Sequence, residues 1–173
     1  MAKAYLFILA AFMLSTELSS AATSELKVGD PAPLFTAQTQ DGKDFKLADR
    51  KGQWTVLYFY PKADTPGCTK QACAFRDSIE TIRKQGADIF GVSADSVADQ
   101  AAFHQKYNLN FTLLADPESK VINLYGSKMP VMKMSKRWTF ILDSDLKIRS
   151  VEKEVDPAKD ADRVAKQIQS LKK

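Results

Sequence analysis

Residues 54–73 read Trp54-Thr55-Val56-Leu57-Tyr58-Phe59-Tyr60-Pro61-Lys62-Ala63-Asp64-Thr65-Pro66-Gly67-Cys68-Thr69-Lys70-Gln71-Ala72-Cys73. The first seven are apolar or β-prone without a break, as in a strand covered on both faces. Pro61, Pro66 and Gly67 then interrupt any regular element. Beyond them, Ala72, Phe75, Ile79 and Ile82 recur at helical spacing and predict a helix over 69–85. The unit is therefore buried strand, loop, amphipathic helix. Both cysteines of the chain, Cys68 and Cys73, sit where the loop becomes the helix.

The same alternation continues outward. Ala87 to Ser93 is a second buried strand. Ser96 opens a helix to Tyr107 as its N-cap. Phe111 to Leu114 reads as a strand, Pro117 to Tyr125 as a short helix, and Trp138 to Leu142 as a strand. That strand turns at Asp143-Ser144-Asp145 into Lys147 to Val151. Pro157 to Leu171 closes the chain as a helix with proline in its first turn. Upstream, Leu34 to Gln38 and Asp44 to Leu47 flank Asp41-Gly42, a hairpin signal. Alternating strands and helices predict an α/β domain, a central mixed sheet flanked by helices with an N-terminal β-hairpin.

The 173 residues suit one domain, and 45% apolar with 27% charged residues is ordinary for a globular chain. The net charge of +4 comes from spread-out basic residues, which argues against nucleic acid as a partner. The N-terminus differs. Lys3 precedes the apolar run Ala4 to Leu14, which falls short of the ~20 residues needed to span a bilayer. It has the length of a secretory h-region, and the small residues Ser20, Ala21 and Ala22 follow. The first arginine is Arg50, which argues against an organelle transit peptide. Residues 1–22 are expected to be a secretory signal peptide and 23–173 the exported domain. The expected destination is the bacterial periplasm, with no stable membrane association after cleavage. An uncleaved membrane anchor is the alternative.

The two thiols allow several readings. A static disulfide is poorly served by this spacing. Five residues along a helix separate the Cα atoms by about 8–9 Å, whereas bridging needs less than about 7 Å. Two thiols do not complete a zinc site, and the only histidine, His104, lies far along the chain as an expected surface residue. No metal or cofactor is expected. The reactive reading places Cys68 in the first helical turn, where free amides and the positive end of the helix dipole favour a thiolate. Such a nucleophile, with no general base beside it, suits attack on a weak O–O bond.

Pro61-x3-Thr65-x2-Cys68 resembles the peroxiredoxin active-site signature. The longer stretch YFYPKADTPGCTKQACAFRD resembles the Q-type, or bacterioferritin-comigratory-protein, branch. VGDPAPLF, GVSADS, NFTLLADPESKV, RWTFILD and VDPAKDADRV follow in that branch's order, so the resemblance spans residues 26–172. It implies a thioredoxin-like fold and a thiol peroxidase that reduces hydrogen peroxide and organic hydroperoxides. It implies that Cys68 becomes a sulfenate, that Cys73 resolves it as an intramolecular disulfide, and that a thioredoxin-like reductant recycles the pair. Thr65 would orient thiolate and peroxide. Pro61, Pro66 and Gly67 would shape the substrate site, with the Gly67 and Cys68 amides binding a peroxide oxygen. Arg137, heading RWTFILD, would stabilise the thiolate and the leaving oxygen. Asp64 is expected to face solvent. The branch's usual state is a monomer.

Two rival readings stand beside it. A thiol–disulfide oxidoreductase on the same fold usually shows Cys-x-x-Cys, not four intervening residues. A copper-binding or redox-sensing protein could use Met129, Met132 and Met134 ahead of Arg137, since thioethers suit Cu(I). As apolar padding of an active-site rim, the same methionines need no metal.

Overall fold

The computed structural model describes residues 25–173, so the expected leader at 1–22 lies outside the described residues. The elements are β1 (Thr36–Thr39), β2 (Asp44–Lys46), a 3-10 turn (Leu47–Arg50), β3 (Trp54–Phe59), α1 (Pro66–Arg83), β4 (Ala87–Ser93) and α2 (Val97–Lys106). After these come β5 (Thr112–Ala115), α3 (Lys120–Leu124), β6 (Trp138–Leu142), β7 (Ile148–Glu152) and α4 (Asp160–Leu171). Seven strands form one mixed sheet in the order β2-β1-β5-β4-β3-β6-β7. The run β3, β4, β5 is parallel, and β6, β7, β1 and β2 pair antiparallel around it. This is the thioredoxin-like arrangement expected from the sequence.

The apolar run 54–60 lies at the middle of the sheet because both of its faces are covered. Val56, Tyr58 and Tyr60 point into the layer of α1 and α4, among Phe75, Ile79, Val164 and Ile168. Leu57 and Phe59 point to the opposite layer, with Phe35, Tyr125 and Phe140. The alternation follows from the two-residue repeat of a strand. Each such buried large side chain contributes about 1.5–3 kcal/mol.

Strand bounds move by a residue or two, and three helix starts differ from the sequence expectation by three residues each. Helix α1 starts at Pro66 rather than 69, because a proline with fixed φ fits the first helical position and loses no hydrogen bond there. Helix α3 is confined to Lys120–Leu124, because the Asp116 carboxylate accepts from the Lys120 and Ile122 N–H groups and anchors its first turn. Helix α4 starts at Asp160 because Asp156 first closes a separate turn, accepting from Ala158 N–H. Ser96 caps α2 as expected, with Asp99 completing a reciprocal capping box.

Gly91 shows why one strand residue must be small. Tyr58 on β3 pairs with Gly91 on β4, and the Tyr58 ring lies across it. A Cβ at 91 would sit 2.6 Å from the Tyr58 hydroxyl and ring. Tyr58 is fully buried and cannot swing into water. Gly91→Ala is therefore expected to cost about 1–3 kcal/mol through overpacking. Thermal unfolding should fall by roughly 2–4 °C for each kcal/mol. An unchanged melting temperature would show that the ring has room to shift.

Candidate active site

The site forms at the carboxyl end of β3, where the chain leaves the sheet at Pro61 and re-enters regular structure at Pro66. Crevices beyond the carboxyl ends of parallel strands are the usual binding place in α/β sheets. Two polar networks hold the loop between. In the first, Asp95 Oδ2 accepts from the Ala63 N–H at 2.8 Å and from Ser93 Oγ at 2.6 Å. Ser93 Oγ accepts from Gln100 Nε2 at 2.7 Å, and the Tyr60 hydroxyl donates to Gln100 Oε1. In the second, Asp64 turns outward at φ +59°. Its carboxylate accepts from Lys106 Nζ at 2.6 Å and from the Tyr107 hydroxyl at 2.5 Å. The Lys106 and Tyr107 hydrogen bonds hold the Asp64 carboxyl below the usual carboxylate range. The expectation that Asp64 faces away from the thiol agrees with this placement, and its tie to the end of α2 could not be read from the sequence.

Cys68 is the third residue of α1 and is 1% exposed. Among the described residues, no hydrogen bond engages the Gly67 or Cys68 N–H, so two free amides remain at the helix start. The Arg137 Nη2 donates to Cys68 Sγ at 3.4 Å. Arg137 reaches the sulfur across Gly67, where a Cβ would lie 3.2 Å from the same nitrogen. Gly67 thus leaves the space that the guanidinium uses. Thr65, at the N-cap position, donates its hydroxyl to the Lys62 carbonyl at 3.0 Å, closing the turn rather than reaching the sulfur. Pro66 is exposed at the helix start, and Pro61 lines a cleft shared with Lys62, Lys133 and Met134. Burial raises the Tyr58 and Tyr60 phenols well above their ordinary range, so the aromatic floor beneath the thiol is uncharged.

Cys73 is partly buried further along α1, and both thiols are free. The helix is continuous over the pair, which keeps the sulfurs on different turns. His104 lies in the last turn of α2, and no side-chain hydrogen bond among the described residues links it to Cys68. Among the described residues, no group of three or more His, Cys, Asp or Glu could hold a metal ion. The methionine segment is a hairpin-like loop closed by a Lys128–Ser135 bridge and by Met129 N–H donating to Met134 C=O at 2.9 Å. Met132 and Val131 at its tip are exposed, whereas Met134 turns into the cleft beside Pro61.

Sequence reasoning missed the supports behind Arg137. Its Nη1 donates to Gln71 Oε1 at 2.6 Å. Gln71 Nε2 donates to Asp160 Oδ2 at 2.7 Å. A signal for Gln71 did exist. It interrupts the apolar stripe of α1, three residues after Cys68 and four before Phe75, and a polar residue there must find a buried partner.

A match to the model of the AhpC/TSA family covers residues 28–151. The chain belongs to the AhpC/TSA family. It is 42% identical over 150 residues to the chloroplast peroxiredoxin Q of Suaeda salsa, covering 86% of this chain and 70% of that relative. Among solved structures it is similar to the peroxidoxin BcpB of Mycobacterium tuberculosis, with a TM-score of 0.79, 33% identity, and coverage of 84% of this chain and 97% of that one. It is also similar to the bacterioferritin comigratory protein of Xanthomonas campestris, whose structure was described for its alkyl peroxide reduction activity. There the TM-score is 0.76 and the identity 28%, over 80% of this chain and 92% of that one. Within the family the chain is a peroxiredoxin of the Q/bacterioferritin-comigratory type, a thiol-dependent peroxidase.

Proposed function

We propose that Cys68 is the peroxidatic nucleophile, that Cys73 resolves it, and that an exported thioredoxin-like dithiol protein recycles the disulfide. The observation that carries this reading is the Arg137 guanidinium donating to a buried helix-start sulfur. A charge-assisted hydrogen bond of this kind favours the thiolate and stabilises negative charge on a departing oxygen. The thiolate attacks one peroxide oxygen. An S–O bond forms, the O–O bond breaks, and the leaving hydroxide or alkoxide takes a proton to become water or alcohol. In this reading the Gly67 and Cys68 amides and Arg137 hold the peroxide oxygens. The kinship with a relative described for alkyl peroxide reduction supports organic hydroperoxides beside hydrogen peroxide as substrates.

In the second step the Cys73 thiolate attacks the sulfenic sulfur and water leaves. The first turns of α1 must unwind for the sulfurs to meet. Gln71 lies between the two cysteines, so the same unwinding withdraws it from Arg137 and Asp160. An oxidising compartment opposes re-reduction, which is why a dedicated reductant belongs to the proposal. Residues 1–22 are a cleaved leader to the periplasm in this reading, and the mature chain works as a monomer.

The test uses mass spectrometry of protein isolated from its native cell, before and after peroxide. A mature N-terminus near Thr23, and a loss of two hydrogens localised to Cys68 and Cys73, are expected. A retained N-terminus overturns export with cleavage, and two unlinked thiols after peroxide overturn the resolving step. Cys73→Ser should keep the first oxidation within about twofold of the wild-type rate while abolishing cycling with a dithiol reductant. Wild-type-like cycling in that variant removes Cys73 from the mechanism.

A further inference from the structure

We propose that Asp160 is a positioning residue for the peroxide reaction: its carboxylate decides which end of the Gln71 amide faces Arg137, and so seats the guanidinium on the Cys68 sulfur. The inference rests on the reading above, with Cys68 as the nucleophile.

A glutamine amide has a donor end and an acceptor end. Gln71 presents Nε2 to Asp160 Oδ2 at 2.7 Å, which leaves Oε1 to accept from Arg137 Nη1 at 2.6 Å. With the amide reversed, an N–H would face the guanidinium and two donors would oppose each other. The carboxylate is what forbids this, because both of its oxygens serve as acceptors here, Oδ1 toward the Arg163 guanidinium and Oδ2 toward Gln71. Its remaining partners are also donors. Thr139 Oγ1 donates to Oδ2 at 2.8 Å, while Arg163 Nη2 and Nε donate to Oδ1 at 2.6 and 3.1 Å. The Asp160 side chain has no exposed surface and Gln71 is likewise fully buried, so neither can turn to water for a substitute partner. The charged groups around this carboxylate are Arg137 through Gln71, Arg163 directly, and Glu152, whose Oε2 lies 4.0 Å from Arg163 Nε.

Asp160→Asn has nearly the same shape but one donor end. Arg163 is cationic and claims the amide oxygen. The new NH2 then faces Gln71, reverses its amide, and turns a donor toward Arg137. Asp160 touches neither the sulfur nor the peroxide space, so its effect must pass through Gln71.

The reduced full-length protein is mixed with hydrogen peroxide under stopped flow. In parallel, iodoacetamide alkylation of Cys68 is followed across pH by mass spectrometry. Asp160→Asn is expected to slow the peroxide reaction about tenfold and to move the alkylation midpoint to higher pH. Gln71→Met should do the same, and the double variant should be no slower than the slower single, because one path is cut twice. If Asp160→Asn does not fold, Asp160→Ser removes the same carboxylate and carries the same expectation. An unchanged peroxide rate and midpoint, or losses that multiply in the double variant, overturn the proposal. A wild-type protein no faster with peroxide than a free thiol sinks the peroxidase reading instead. The alkylation midpoints would still report whether Asp160 governs Arg137.

Discussion

Cys68→Ser is expected to lower hydrogen peroxide turnover by at least about three orders of magnitude, as loss of the nucleophile does in enzymes with covalent intermediates. A serine hydroxyl stays protonated beside Arg137 and cannot give its electron pair to an O–O bond at a useful rate. The change removes little volume from a site that is 1% exposed. The guanidinium that donates to the sulfur can donate to a hydroxyl oxygen as well, so the fold should persist. The measurement is stopped-flow fluorescence of the reduced protein against peroxide, with thermal unfolding as the control. Residual turnover within tenfold of wild type would place the nucleophile elsewhere.

Arg137→Met is expected to reduce the second-order rate with peroxide by about 10²–10³, the usual loss when one donor to a developing oxyanion is removed. Methionine keeps much of the apolar stem and loses the charge. It also leaves Gln71 Oε1 without its donor, an added cost for a buried acceptor. Arg137→Lys should recover only part of the rate. An ammonium is a point charge, whereas the guanidinium reaches Gln71 with one nitrogen and Cys68 with the other. A rate within threefold of wild type in Arg137→Met would mean that the helix start alone activates the thiol.

Much of the fold was legible because its signals are local. The unbroken apolar run 54–60 announces a central strand, the stripe from Ala72 to Ile82 announces α1, and Ser96 announces the start of α2. The family resemblance singled out Cys68 and Arg137, which the fold brings within 3.4 Å of each other. It did not lead to Asp160, which reads on its own as an acidic residue near a helix start, a common surface choice. Nor did it place the Thr65 hydroxyl, whose closest acceptor is the Lys62 carbonyl three residues back. Side-chain direction at a turn depends on a few dihedral angles that composition does not encode.

By itself the sequence determined the order of elements, the helix start that carries Cys68, and the presence of a second thiol within the same helix. The tertiary structure decided which distant charges meet that sulfur. Arg137 is 69 positions from Cys68 in sequence, and Asp160 is 89 from Gln71. They converge because β6 pairs antiparallel with β3 in a register that sets Trp138 opposite Phe59, leaving Arg137 at the end where the thiol loop begins. A slip of one residue would turn every β6 side chain to the opposite face of the sheet. That register follows from packing on both faces at once, a property of the folded whole that no window of sequence contains.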